Sequence, residues 1–171
     1  EAAVLSIDGS GDFTTTMIAI GRGTKLEVLD SVDFPVSIGL FYTAFTQYLG
    51  FPHYGDEYKV MGLAPYGRPC YVDLMLEHFL TLKPDGSLAL NLEYFDFPHG
   101  LTMINERFGQ RLGRPQRSPE TKLDQFHMDV AASAQAITTD AMLRLARTSK
   151  VLTGQRKLCL AGGFALNFVA N

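Results

Sequence analysis

The chain has 171 residues, 46% apolar and 19% charged, with a formal net charge of −3. That length holds one domain with a substantial core and leaves little room for two. The acidic balance and the lack of a Lys/Arg stripe argue against nucleic acid as a partner, and no run approaches the roughly 20 apolar residues that a membrane-crossing helix needs.

Residues 3–33 predict a three-strand meander. Val4–Ile7, Thr14–Ile20 and Lys25–Val32 are rich in β-branched residues, and Gly9/Gly11 and Gly21/Gly23 punctuate them. Ser37 to Tyr48 carries apolar residues at helical spacing, with Gly50 as the stop. A short helix is expected from Asp56 to Ala64, ending before Pro65, and another over Tyr71–Phe79. From Leu80 to Thr121 regularity drops. Leu88–Tyr94 alternates weakly, and Pro98, Gly100, Gly109, Gly113, Pro115 and Pro119 read as a loop-rich insertion. Arg107, Arg111, Arg114 and Arg117 stand there beside Glu106, Glu120 and Asp124, the pattern of a solvated loop. Lys122 to Leu152 gives the clearest long helix, with Phe126, Val130, Ala134, Ile137, Ala141 and Leu145 on one face. Thr153-Gly154 closes it. Lys157 to Ala161 returns as a buried strand and runs into Gly162-Gly163, after which a small-residue helix is expected. Cys70 lies far from Cys159 in sequence, and Cys159 sits in that apolar strand, so a reduced, cytoplasmic chain is expected.

Strand–Gly turn–strand at the start and helix–strand–Gly-Gly–helix at the end form an α/β pattern, a mixed sheet with flanking helices. Two segments suit anion chemistry. Asp8-Gly9-Ser10-Gly11-Asp12 places two carboxylates around a turn whose amides no β-carbon obstructs. Asp8 could take a hard cation there while the amides meet a phosphate, although Asp and Gly are also ordinary hairpin residues. Gly162-Gly163 likewise lets backbone N–H groups approach an anionic ligand. Lys59, beside Gly and Pro turns, is a weaker candidate for an anion contact. His53, His78, His99 and His127 show no metal spacing, and neither a nucleophile elbow nor a P-loop is present.

Asp8–Asp12, the run Glu57-Tyr58-Lys59-Val60-Met61-Gly62-Leu63-Ala64-Pro65-Tyr66-Gly67, Phe126–Gln135 and Leu160–Asn167 together resemble the NodU/CmcH carbamoyltransferase family, in the expected order across nearly the whole chain. The Lys-Val-Met-Gly-Leu-Ala-Pro-Tyr-Gly run is specific; the Gly-Gly element is shared with actin-like proteins at large. The resemblance implies an actin/hexokinase-like (ASKHA) catalytic domain, similar to the tRNA threonylcarbamoyl transferase subunit, followed by a YrdC-like domain. The latter makes carbamoyl adenylate from ATP and carbamoyl phosphate. The former holds it on a metal, usually Fe2+, and transfers the carbamoyl group to a hydroxyl of a small-molecule acceptor.

By the family pattern Asp8 is a metal ligand, Gly9, Ser10, Gly11 and Asp12 cradle phosphate, and Gly162, Gly163 and Asn167 contact the adenosine. The family's His-x-x-x-His pair, its last metal carboxylate and its YrdC-like domain do not occur in these 171 residues, and Phe164 stands where Val is expected. The chain is therefore expected to be a piece of the catalytic domain, inactive and inclined to self-associate when alone. An actin-superfamily kinase and a non-catalytic nucleotide-binding module are the alternatives. Region 94–121 is the expected acceptor wall, with a surface insertion as the plain alternative.

Overall fold

The computed structural model describes all residues, 1–171. The expected meander forms as β1 (Ala2–Gly11), β2 (Thr14–Arg22) and β3 (Lys25–Asp33), each antiparallel to the next. β6 (Leu158–Ala161) then adds parallel to β1, giving a mixed sheet in the order β3-β2-β1-β6. Period-2 alternation sends Ala3, Leu5 and Ile7 of β1 to the face that α1 (Ile38–Tyr48) and α5 (Gln125–Thr153) cover. This is the α/β architecture with a mixed sheet and flanking helices that the pattern implies.

Both long helices have their ends written in the sequence. Ser37 caps α1 by accepting from the Leu40 amide. Asp124 caps α5 in a reciprocal box with His127, and Gly154 ends it in the left-handed conformation. The expected apolar stripe of α5 is the observed one: Val130, Ala134, Ile137, Ala141 and Leu145 are buried along its length. α2 (Glu57–Leu63) ends before Pro65 as expected, and a 3-10 turn over Ala64–Tyr66 follows it, since proline is tolerated in a first helical turn. α3 spans Val72–His78 as expected.

Four expectations need correction. Region 80–121 is more than a loop. It contains a hairpin, β4 (Leu80–Leu82) with β5 (Leu88–Leu90), and a helix, α4 (Glu106–Leu112), capped by Asn105 and closed by Gly113. Phe108 of α4 stacks on Phe79 with centroids 4.4 Å apart and meets Phe45 of α1 edge-on at 4.9 Å, so the segment completes the core. Arg117, expected in solvent, is buried, and its guanidinium donates to the carbonyls of Ser118 and Pro119. β6 is exposed rather than buried, because it is the edge strand of this sheet; Cys159 is accordingly exposed, and like Cys70 it is unpaired. Lastly, the Gly pair leads into a 3-10 turn, Gly163–Leu166, not a helix.

Candidate functional site

Three pieces of backbone converge at the end of β1. The β1–β2 register slips between Ile7 and Gly11, which frees Asp8 from regular pairing. Its Oδ1 accepts from the Gly9 amide at 2.8 Å, and its Oδ2 accepts from the Gly163 amide at 3.2 Å. Asp8 thus joins the first strand to the Gly pair, 155 residues later in the chain. The N-terminus of α1 docks on the same spot, where Ser37 Oγ donates to the Asp8 carbonyl at 3.0 Å.

Two glycines make this approach sterically feasible. A β-carbon on Gly39 would lie 2.7 Å from both the Asp8 carbonyl oxygen and the Gly9 nitrogen. Gly162 has φ 85°, and a β-carbon there would land on the Ile7 carbonyl oxygen.

Beside Asp8 opens a cleft of about 430 Å³. β1 and the Gly163 turn supply Asp8, Gly9, Gly163, Phe164, Leu166 and Asn167; α1 supplies Gly39, Tyr42 and Thr43. The remaining wall, Tyr54, Gly55, Glu57, Tyr58 and Met61, comes from α2 and the loop before it. A few convergent polar groups over an apolar lining are what a small-molecule site requires.

Under the cleft runs a buried polar network. Tyr42 Oη donates to Gln135 Oε1 at 2.7 Å, and Gln135 Nε2 donates to Asn167 Oδ1 at 3.1 Å. Asn167 Oδ1 also accepts from the Val169 and Ala170 amides. Burial, with Glu57's charge adding to it, pushes the Tyr42 phenol well up, so it stays protonated as a donor.

Of the residues singled out in sequence, Asp8, Gly9, Gly163 and Asn167 line this cleft, and Gly162 backs it. Ser10, Gly11 and Asp12 do not. The strand continues through Ser10 and Gly11, the reversal falls at Asp12 with φ 39°, and all three are exposed at the hairpin tip. Lys59 is outside the lining too. Its ammonium pairs with Asp56 at 2.7 Å, over the Phe51 ring, and its proton is held more tightly by that hydrogen bond. Sequence reasoning passed over Tyr42, Thr43 and Gln135. The one signal was Gln135, a polar residue among alanines on the buried side of α5.

A second, larger cleft of about 810 Å³ lies within region 96–116, lined by Asp96, Thr102, Asn105, Glu106, Gln110, Arg114 and Gln116 among others. Much of this polarity is internally engaged: Asn105 caps α4, Arg114 pairs with Asp124 at 2.6 Å, and Thr102 donates to Asp96.

Across residues 1–171 the sequence matches the family described as carbamoyltransferase N-terminus. It is 52% identical over its whole length to an uncharacterized protein of Synechocystis, covering 28% of that protein. It is 36% identical to the nodulation protein NolO of Bradyrhizobium diazoefficiens, covering 29% of it, and 34% identical to the nodulation protein NolNO of Sinorhizobium fredii, covering 23%. The chain thus spans less than a third of the length of these relatives.

Proposed function

The chain belongs to the carbamoyltransferase N-terminus family, and from that premise we propose that it helps hold carbamoyl adenylate while the carbamoyl group passes to a hydroxyl of a small-molecule acceptor. One observation carries the proposal: the Asp8 carboxylate bridges the end of β1 and the Gly162-Gly163 turn beside a 430 Å³ cleft. The domain is read as part of an actin-like (ASKHA) fold. An antiparallel meander joined in parallel by β6, with a Gly-rich junction after β1 and another after β6, supports that assignment.

In this chemistry the acceptor oxygen bonds the carbamoyl carbon while the bond from that carbon to the phosphate oxygen breaks. AMP leaves with the electron pair, and the hydroxyl proton passes to solvent. AMP is a good leaving group, so no covalent protein nucleophile is required. The Gly9 and Gly163 amides hold the Asp8 carboxylate at the cleft edge, where it can orient the ligand. Asn167, Gln135 and Tyr42 hold the Gly163–Leu166 turn in place.

The family resemblance also implies Fe2+ or a similar divalent cation. No three His, Cys, Asp or Glu side chains of this chain lie within reach of one ion, and both Asp8 oxygens already accept amides. The residues present do not make up a metal centre. Asp8 is proposed as one ligand at most, and the chemistry assigned to this chain is binding and orientation. ATP and carbamoyl phosphate as co-substrates imply a cytoplasmic setting; consistent with it, no helix is long and apolar enough to cross a membrane. The 171 residues alone are proposed to be inactive.

The test uses the full-length polypeptide with ATP, carbamoyl phosphate and ferrous iron. Pyrophosphate release that depends on carbamoyl phosphate, with AMP formed only once a hydroxyl acceptor is added, is the expected outcome. ADP formation indifferent to carbamoyl phosphate would overturn the proposal in favour of a kinase.

A further inference from the structure

One motif residue stands outside the transfer chemistry above. Lys59 opens the Lys-Val-Met-Gly-Leu-Ala-Pro-Tyr-Gly run yet does not line the cleft beside Asp8. Its ammonium meets Asp56 Oδ1 at 2.7 Å, and Asp56 is 6% exposed, a charge withdrawn from water at the start of α2. Asp56 does not cap that helix; its other oxygen accepts from the His53 amide at 3.2 Å. The carboxylate therefore closes the loop 53–56, which carries Tyr54 and Gly55 of the cleft wall. Tyr58 of the same wall directly precedes Lys59.

The same ammonium lies 5.6 Å from the centroid of the Phe51 ring, and the Arg117 guanidinium lies 5.3 Å from it. Arg117 is 9% exposed and has no carboxylate partner; its terminal nitrogens donate to backbone carbonyls and its Nε to nothing in the chain. The Phe51 face is the other group that meets its charge. The Arg117 amide donates to the Tyr48 carbonyl at 2.9 Å, which fixes this residue to the end of α1. Gly50 permits the approach: a β-carbon there would stand 2.8 Å from Arg117 Nη1. Segment 80–121 thus reaches the cleft wall through one ring and one ion pair. A pair whose carboxylate is buried differs from a surface bridge, because removing the cation leaves an unpaired charge that must draw in water.

We propose that Lys59 is a positioning residue: paired with Asp56 and resting over Phe51 beside Arg117, it holds the 53–56 loop and the start of α2 in place as the wall of the cleft. Lys59 thus acts on the ligand through the wall and does not touch it. The inference rests on the cleft being the ligand site proposed above.

The test uses the full-length polypeptide as wild type, Lys59→Met, Lys59→Arg and the double variant Asp56→Asn/Lys59→Met. Hydrogen exchange at amides 53–58 reads the wall, and calorimetric binding of AMP and adenosine reads the cleft. Lys59→Met should speed exchange at 53–58 about tenfold while the rest of the domain stays protected, and should weaken AMP and adenosine alike by about tenfold. Lys59→Arg keeps the charge and should behave as wild type. The double variant should recover part of both losses, because no buried charge is then left unpaired. Weakened AMP with adenosine unaffected overturns the inference, since the ammonium would then meet the phosphate itself. So does a lower melting temperature with exchange at 53–58 and both affinities unchanged, or a double variant no better than Lys59→Met. A wild type that binds neither nucleotide would sink the ligand proposed for the cleft, and exchange at 53–58 would still decide whether Lys59 holds the wall.

Discussion

Replacing Asn167 by alanine separates a structural role from a ligand contact. The residue is 1% exposed, and its Oδ1 accepts from Gln135 Nε2 at 3.1 Å, from the Ala170 amide at 3.1 Å and from the Val169 amide at 3.3 Å. Two of those donors keep a second partner: Gln135 also reaches Thr139 Oγ1, and the Ala170 amide reaches the backbone carbonyl of residue 167. Val169 loses its acceptor but is 40% exposed, so water can replace it. Three bonds at about 0.5–1.5 kcal/mol each, taken from the lower half of that range, give a loss of about 2 kcal/mol. An unfolding entropy of about 2.1 cal/mol/K per residue amounts to about 0.36 kcal/mol/K for this chain, so Tm falls by about 6 °C. Scanning calorimetry reads the shift, and AMP affinity measured below the transition reads the site. A variant that melts within about 1 °C of wild type yet loses AMP affinity would refute the reasoning, because Asn167 would then be acting on the ligand directly.

Phe108→Ala empties a fully buried site between Phe79 and Phe45 and should cost about 3–5 kcal/mol, or about 8–14 °C in Tm. Phe13→Ala, at a ring 78% exposed, should hardly move the melt; equal shifts in the two variants would mean α4 is not part of the core. Gly162→Ala must fit a β-carbon against Ile7 at φ 85°, so strain and displacement of β6 from β1 should lower stability by about 3 kcal/mol, and an unchanged urea midpoint would contradict that. Arg114, by its hydrogen bond, lowers the Asp124 carboxyl from 3.8 to about 2. A depressed folded value means the stabilisation is complete above pH 3.8 and lost as pH falls from there through about 2; Asp124 is half-exposed, so it is worth about 1 kcal/mol at most after screening. The urea-midpoint gap between wild type and Asp124→Asn should be full at about pH 5 and should close as pH falls below about 2; a gap independent of pH would remove Arg114 as the cause.

The meander, α1 and α5 were legible because their signals are local. β-branched runs between glycines, a Ser37 or Asp124 cap, and apolar residues at helical spacing act within one turn or one hairpin. α4 was not legible, although Asn105 and Gly113 mark its ends. Seven residues containing a glycine have too little intrinsic helicity to stand out, and packing of Phe108 on Phe79 decides the segment. Leu158–Ala161 showed the converse: an apolar run specifies a strand, but its burial depends on what lies beside it, and here it is an edge.

For the site, local sequence supplied the glycine after Asp8 and the pair after β6, and at Gly162 only a residue without a β-carbon permits the backbone approach to Ile7. It also carried the family motifs. Which groups meet was decided by the tertiary structure. Asp8 reaches Gly163 because β6 lies parallel to β1; Glu57 meets Thr43 across α1 and α2; Tyr42, Gln135 and Asn167 share hydrogen bonds across α1, α5 and the last turn. Local patterning specifies each element's shape and apolar face. The contacts between elements arise only when those faces are buried together, which brings residues distant in sequence within hydrogen-bonding range.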